Sequence, residues 1–405
     1  MRHLPRRGSN RGIPDPAGLR VHLAGAFPRL ARRRAGAALL LVLAAAAVPT
    51  GLPAREDLQA AFARLAEEAR SRAGAPGLSA AVVIGDRLVW SSGFGRASVE
   101  HDVPATASTV YRIASISKPI AATAVLQLVE RGRVGLDEDI RKYLPFFPDK
   151  GGMTITVRHL LTHTSGIRHY RPGEMESTRR YETVAEAAAV FMHDPLLFPP
   201  GTRYSYSTYG YNLLAGIVEA ASGLTFETYL RERIFGPAGM SATWLEHAGE
   251  IVPNRACQYV RSDGRLRHAP YADLSVKWAG GGMIATVEDL ARFHIALDQG
   301  RLLGREMLQL MYTPGRLADG SPIEYGLGWR LEPDKQGRVW VAHSGGATGG
   351  SGYLLRLPAQ GLAVAVLCNV QGAGNLRELA QAMAERALAA AAASDGPARD
   401  RRSRP

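Results

Sequence analysis

The spacing of apolar and polar positions divides most of this chain into predictable elements. From Glu56 to Ala73, Leu58, Phe62 and Leu65 recur on one face, which predicts an amphipathic helix. Leu78 to Ile84 is a continuous apolar run and Arg87 to Gly93 a second strand-like run. Gly85-Asp86 between them is a hairpin signal. An Ala-rich apolar pattern from Ser115 to Gly132 predicts a helix. From there to about residue 275 the text is helical and loop-like, with turns at Lys150-Gly151-Gly152, Pro199-Pro200-Gly201 and Gly236-Pro237. Thr286 to Asp289 is a capping pattern that opens a helix to about Gln299. Gly326 to Glu332, Arg338 to Ser344, Gly352 to Leu357 and Leu362 to Asn369 follow as strands, and Leu376 to Ala393 closes as a helix.

Strands at both ends with helices between them predict an α+β fold. In it an antiparallel sheet flanked by helices receives an inserted, mainly helical lobe over about residues 113–285. The expected organisation is an N-terminal extension at 1–55, one catalytic body at 56–393, and a disordered tail at 394–405. No internal repeat is present. At 405 residues the chain is long enough for two lobes.

Charge alters the picture only at the ends. The formal net charge is +12, but residues 1–55 hold ten Arg against one Asp and residues 394–405 hold four Arg against two Asp. The body is left at about +1, so the charge makes no case for nucleic-acid binding. The basic N-terminus leads into an uncharged run from Ala35 to Val48, too short for a comfortable membrane span but suited to a signal peptide. Export is the expectation, periplasmic or extracellular, with an uncleaved N-terminal anchor as the one route to a membrane. A mitochondrial transit peptide is the alternative. Cys257 and Cys368 are expected to be unpaired, Cys368 as a core residue. No Cys/His spacing suggests a metal, no cofactor is implied, and no Gly-x-Ser-x-Gly elbow occurs.

The candidate chemistry begins at Ser115-Ile116-Ser117-Lys118. On a helix Ser115 and Lys118 share a face, whereas Ser117 is turned about 100° from Lys118. An amine on that face can take the hydroxyl proton that makes serine a poor nucleophile. At the helix start, the free N–H of Ser115 can also face a developing oxyanion. Ser-x-x-Lys alone is common, and a capping serine beside a solvated lysine is the plain reading. Two further segments add weight: Tyr204-Ser205-Tyr206-Ser207-Thr208-Tyr209-Gly210-Tyr211 and His343-Ser344-Gly345-Gly346.

In that order and separation the three segments resemble the class C β-lactamase and D-Ala-D-Ala peptidase superfamily, with its Ser-x-x-Lys, Tyr-x-Asn and Lys/His-x-Gly motifs. Leu160 to Ile167 and Gly280-Gly281-Gly282-Met283 add to the likeness. Arg112 to Lys118, Gly166 to Tyr170, Tyr206-Ser207-Thr208 and Lys277 to Gly282 resemble the mitochondrial serine β-lactamase-like branch and its bacterial relatives. The resemblance covers roughly residues 56–390. It implies a cleft between two lobes, Ser115 as nucleophile, and Lys118 with Tyr206 as the proton-transfer pair. It also implies an oxyanion hole from the N–H groups of Ser115 and Gly346, with Thr208, His343 and Gly345 contacting substrate.

Two departures stand out. Thr208 replaces the family's asparagine and lacks its two-ended amide. His343 stands where true β-lactamases often have lysine, and a histidine of pKa near ~6.5 attracts a carboxylate less at neutral pH. These changes point to a small peptide or ester substrate and away from efficient penicillin hydrolysis. A peptidase is the first expectation, and a carboxylesterase or weak β-lactamase the second. The rival class is a catalytically weak wall-binding or filament-forming scaffold, for which self-association would be central. His163 reads as a packing histidine with a fixed tautomer, and Trp278 with Gly280 to Gly282 as cleft wall.

Overall fold

The computed structural model describes residues 53–395 except Lys335. The Arg-rich start, the run from Ala35 to Val48 and most of the expected tail lie outside the described residues. Among the described residues no helix is long and apolar enough to cross a membrane.

Helix α1 (Pro53–Ala73) precedes the hairpin of β1 (Gly77–Ile84) and β2 (Arg87–Ser98), followed by the short β3 (Val103–Pro104) and β4 (Tyr111–Arg112). Helix α2 (Ser117–Glu130) comes next, then the short α3 (Val157–Leu161) and α4 (Thr208–Ser222). After them lie β5 (Trp244–Leu245), the hairpin of β6 (Tyr259–Ser262) and β7 (Arg265–His268), α5 (Trp278–Gly281), β8 (Met283–Ala285) and α6 (Val287–Asp298). The chain closes with β9 (Arg330–Pro333), β10 (Val339–Ala347), β11 (Gly350–Leu357), β12 (Leu362–Cys368) and α7 (Leu376–Asp395).

The main sheet has the order β3-β2-β1-β12-β11-β10-β9, antiparallel at every junction. Its central strands are buried on both faces, which is why β1 and β12 read as unbroken apolar runs. Side chains alternate between two cores. Leu78, Ala80 and Val82 of β1 pack with Val364, Val366 and Cys368 of β12 beneath α1 and α7, at Phe62, Ala66, Leu379 and Met383. Ala81, Val83, Ala363, Ala365 and Leu367 face the other way, into the core shared with α2, α4 and α6. This is the expected α+β layout.

Several boundaries moved: β2 runs on to Ser98 and β9 opens only at Arg330. Strand β10 runs to Ala347 and so includes Gly345 and Gly346. Helix α2 starts at Ser117, because Ala114–Ile116 forms a separate 3₁₀ turn. The closing helix continues through Ser394 and Asp395, where a disordered tail was expected. The region expected to be all helix and loop also holds β5, which joins β4 and β8 from its two flanks in a three-stranded sheet, and the β6–β7 hairpin. Strands of two to four residues are too short for a period-2 pattern to register.

Candidate active site

Ser115 sits in the 3₁₀ turn before α2, and the backbone there is strained. Ala114 has φ +50°, a left-handed conformation that L side chains rarely adopt. Strand β10 holds this turn from one side. A side chain at Gly345 would collide with the Ile113 carbonyl, so only glycine allows so close an approach.

Lys118 lies one turn on and is completely buried. Its Nζ donates to Ser115 Oγ at 3.1 Å, Thr208 Oγ1 at 3.1 Å and the Gly280 carbonyl at 2.5 Å. Burial, and then the charges of Lys277 and Arg330, push its pKa well below the usual lysine value. Ser117 is turned away: its Oγ donates to the Ala114 carbonyl at 2.7 Å and accepts from Met283 N at 3.3 Å.

The Tyr206 ring lies 4.7 Å from Lys118 Nζ. Burial raises its hydroxyl pKa, and a hydrogen bond with Ser115 offsets part of that rise. His163 brackets this residue. Its carbonyl accepts from Ser205 N at 2.9 Å and its Nδ1 from Ser207 N at 3.1 Å, while its ring packs 4.2 Å from that of Tyr206. An accepting Nδ1 places the proton on Nε2, so the expected fixed tautomer is present. Burial, followed by the charge of Lys118, keeps the ring neutral. His169 acts similarly on the next residue, accepting from Thr208 N through Nδ1 at 3.2 Å.

Two residues expected to touch substrate are bonded to internal partners. Thr208 is buried behind Lys118 and spends its hydroxyl on the amine. His343 is also buried, with Nε2 at 3.0 Å from Tyr325 Oη and Nδ1 at 2.7 Å from the Ser344 carbonyl. Both ring nitrogens are thus occupied, and burial, followed by the charge of Lys118, holds the ring neutral. Gly345 packs against the nucleophile turn, whereas Gly346 is exposed and has open space where a side chain would go.

Several residues here were not singled out from the sequence as site residues. The Gly280 carbonyl orients Lys118, so the triple-glycine segment is more than cleft wall. A side chain at Gly280 would strike Thr208 Cγ2 about 2.5 Å away. Arg330, at the start of β9, lies 5.7 Å over the Tyr206 ring and makes no ion pair among the described residues. Its position directly after the turn-rich run Tyr325 to Trp329, opening a strand, is the sequence signal that marks it. Among the described residues no cluster suited to a metal is present.

The Beta-lactamase family model matches residues 62–388. The chain belongs to the beta-lactamase family. It is 30% identical to the serine beta-lactamase-like protein LACTB, mitochondrial, of Homo sapiens, over 77% of this chain and 78% of that one. It is 32% identical to penicillin-binding protein 4* of Bacillus subtilis, over 75% and 69%. The crystal structure of D-amino acid amidase from Ochrobactrum anthropi superposes with a TM-score of 0.70 at 27% identity, covering 84% of this chain and 99% of that one. This member of the beta-lactamase family is a serine hydrolase with an α+β, transpeptidase-like fold.

Proposed function

We propose that this enzyme hydrolyses peptide or ester bonds through an acyl-enzyme on Ser115, with peptides the first expectation. The observation that carries the reading is the buried Lys118 amine, 3.1 Å from Ser115 Oγ and depressed in pKa. A neutral amine keeps two N–H groups for Thr208 and Gly280 and turns its lone pair on Ser115, so it takes the hydroxyl proton as Oγ bonds to the substrate carbonyl carbon. Tyr206, its pKa raised, stays protonated and relays a proton to the leaving group as the bond to that group breaks. Water then releases the acyl group by the same path in reverse.

The oxyanion hole is assigned to Ser115 N and Gly346 N. Pro333 of β9 lies opposite Val339 and has no N–H to give, so the hydrogen-bonded pairs fall at Ala342↔Arg330 and Trp340↔Glu332. Every second residue of β10 addresses the same edge. Pairing with β9 ends at Ala342, so Gly346 addresses the edge left vacant beside Ser115.

Arg330 adds a preference. Its guanidinium lies 5.7 Å over the Tyr206 ring and makes no ion pair among the described residues, whereas the neighbouring Glu332 is already paired with Arg377 at 2.7 Å. That favours substrates with a carboxylate near the scissile bond. Export remains the proposed location.

The test is a panel of small acyl esters, D-amino-acid peptides and L-peptides, each in neutral and carboxylated forms, with Ser115→Ala as blank. Turnover of at least one class, lost in the blank, supports the reading. Turnover that survives in the blank overturns it.

A further inference from the structure

The strand leading into Ser115 carries a buried ion pair that the chemistry above leaves unused. Arg112, three residues upstream in β4, meets both carboxylate oxygens of Glu246 through Nε and Nη2, each at 2.7 Å. The two side chains are 4% and 2% exposed. Taking two charges out of water is expensive, so a buried pair is weak evidence of stability in itself. Its other bonds are more informative. Nη1 donates to the Thr348 carbonyl at 2.8 Å and Nη2 to the Ala272 carbonyl at 3.2 Å.

Thr348 opens the two-residue turn between β10 and β11, two residues beyond Gly346. At the far side of that turn a side chain on Gly350 would come within 3.1 Å of Arg112 Cβ, so the turn rests directly on Arg112. Glu246 is anchored too. Its N–H donates to the Gly282 carbonyl at 2.8 Å, and Arg255 also donates to its carboxylate. Gly282 follows closely on Gly280, the carbonyl acceptor of Lys118.

We propose that the Arg112–Glu246 pair sets the spacing of the oxyanion hole. It ties the strand end that carries Gly346 to the segment that carries Ser115, and through Gly282 it keeps the Lys118 acceptor in register. This rests on the reading of Ser115 as nucleophile and Gly346 as oxyanion donor. Arg112 touches neither substrate nor reacting atoms and is therefore a positioning residue. A lysine cannot replace it, because the planar guanidinium serves several acceptors at once whereas an ammonium is a compact point charge.

The test compares Arg112→Lys and Glu246→Gln with Arg356→Lys as a control. Arg356 is as buried, donates to His294 Nδ1 at 2.7 Å and pairs with Asp298, but belongs to none of the contacts around Ser115. The readouts are thermal midpoint, the kcat-against-KM split on the best substrate, and the rate of covalent capture of Ser115 by a fluorophosphonate. Losing one oxyanion donor outright costs ~10²–10³ in kcat, so a displaced donor should cost about 10–100-fold. The expected result is that loss in kcat and capture rate for both variants, with KM within about twofold, while Arg356→Lys loses stability and keeps kcat. Normal kcat in Arg112→Lys, or equal kcat loss in the Arg356 control, overturns the proposal. So does failure of both pair variants to fold, which would make the pair a determinant of the fold alone. If Ser115→Ala retains activity, the underlying reading fails instead.

Discussion

Tyr206→Phe removes one oxygen atom and tests the division of labour between the tyrosine and Lys118. The ring keeps its packing, 4.2 Å from His163, 5.6 Å from His169 and 5.7 Å from the Arg330 guanidinium. The stability cost is therefore limited to one hydrogen bond, about 1 kcal/mol. The catalytic cost is larger, because a positioned proton-transfer group contributes ~10²–10⁴-fold. At 1.36 kcal/mol per factor of ten, that is ~2.7–5.4 kcal/mol of barrier. Steady-state kinetics on the best ester or peptide substrate should show a fall in kcat with little change in KM, since the hydroxyl acts on the transition state. Combining Tyr206→Phe with Lys118→Ala should cost about as much as either change alone, because a coupled unit is not additive. Two neighbours serve as controls. Tyr204 is 37% exposed, and Tyr204→Phe should leave kcat within about twofold. Tyr209 gives its hydroxyl to Glu174 at 2.9 Å, so Tyr209→Phe should lose ~1.5–3 kcal/mol of stability and little activity. Near-normal turnover in Tyr206→Phe with collapse in Tyr204→Phe would show that the wrong tyrosine has been assigned.

Gly345→Ala should lower kcat about 10²-fold, because the strand must back away from the Ile113 carbonyl and a displacement on the order of 1 Å costs that much; Gly346→Ala has open space and should fold normally with a smaller loss, and the reverse ranking in kinetic assays would refute the strand placement. Nitrocefin turnover should stay well below a kcat/KM of ~10⁶ M⁻¹s⁻¹, because Thr208 and His343 are both buried and committed to internal partners; turnover at that level would contradict this. In the pH profile of kcat/KM the acid limb should report Lys118 and lie well below the usual ~10.4 of lysine, with rate rising as the amine loses its proton; an acid limb near ~10 would contradict the neutral-amine assignment. Thermal stability should fall as pH drops below ~6.5, since the unfolded chain protonates there while the buried rings of His163, His294 and His343, with lowered pKa values, do not; a midpoint unchanged between pH 7 and pH 5 would refute it.

The parts legible in the sequence were those encoded locally. Ser115 and Lys118 are three residues apart, so helical phase alone distinguishes Ser115 from Ser117. The apolar runs of β1 and β12 are visible because both sheet faces are buried. What escaped depends on contacts between distant segments. No local pattern shows that Gly280 gives its carbonyl to Lys118 or that Tyr325 occupies His343 Nε2. The same holds for His163, whose carbonyl and ring together clasp both sides of Tyr206. The expectation for Thr208 and His343 carried over their motif positions, and no local pattern showed that each would be buried with an internal partner.

The account depends most on Ser115 being the residue that becomes acylated. Incubating the folded protein with a fluorophosphonate, followed by peptide mass spectrometry, tests this directly. As the Oγ–P bond forms, fluoride leaves and the serine proton passes to Lys118 and on to solvent. The expected result is one adduct per chain, on Ser115, absent in Ser115→Ala and retained in Ser117→Ala. An adduct on Ser117, or none at all in protein that turns over substrate, would contradict the account.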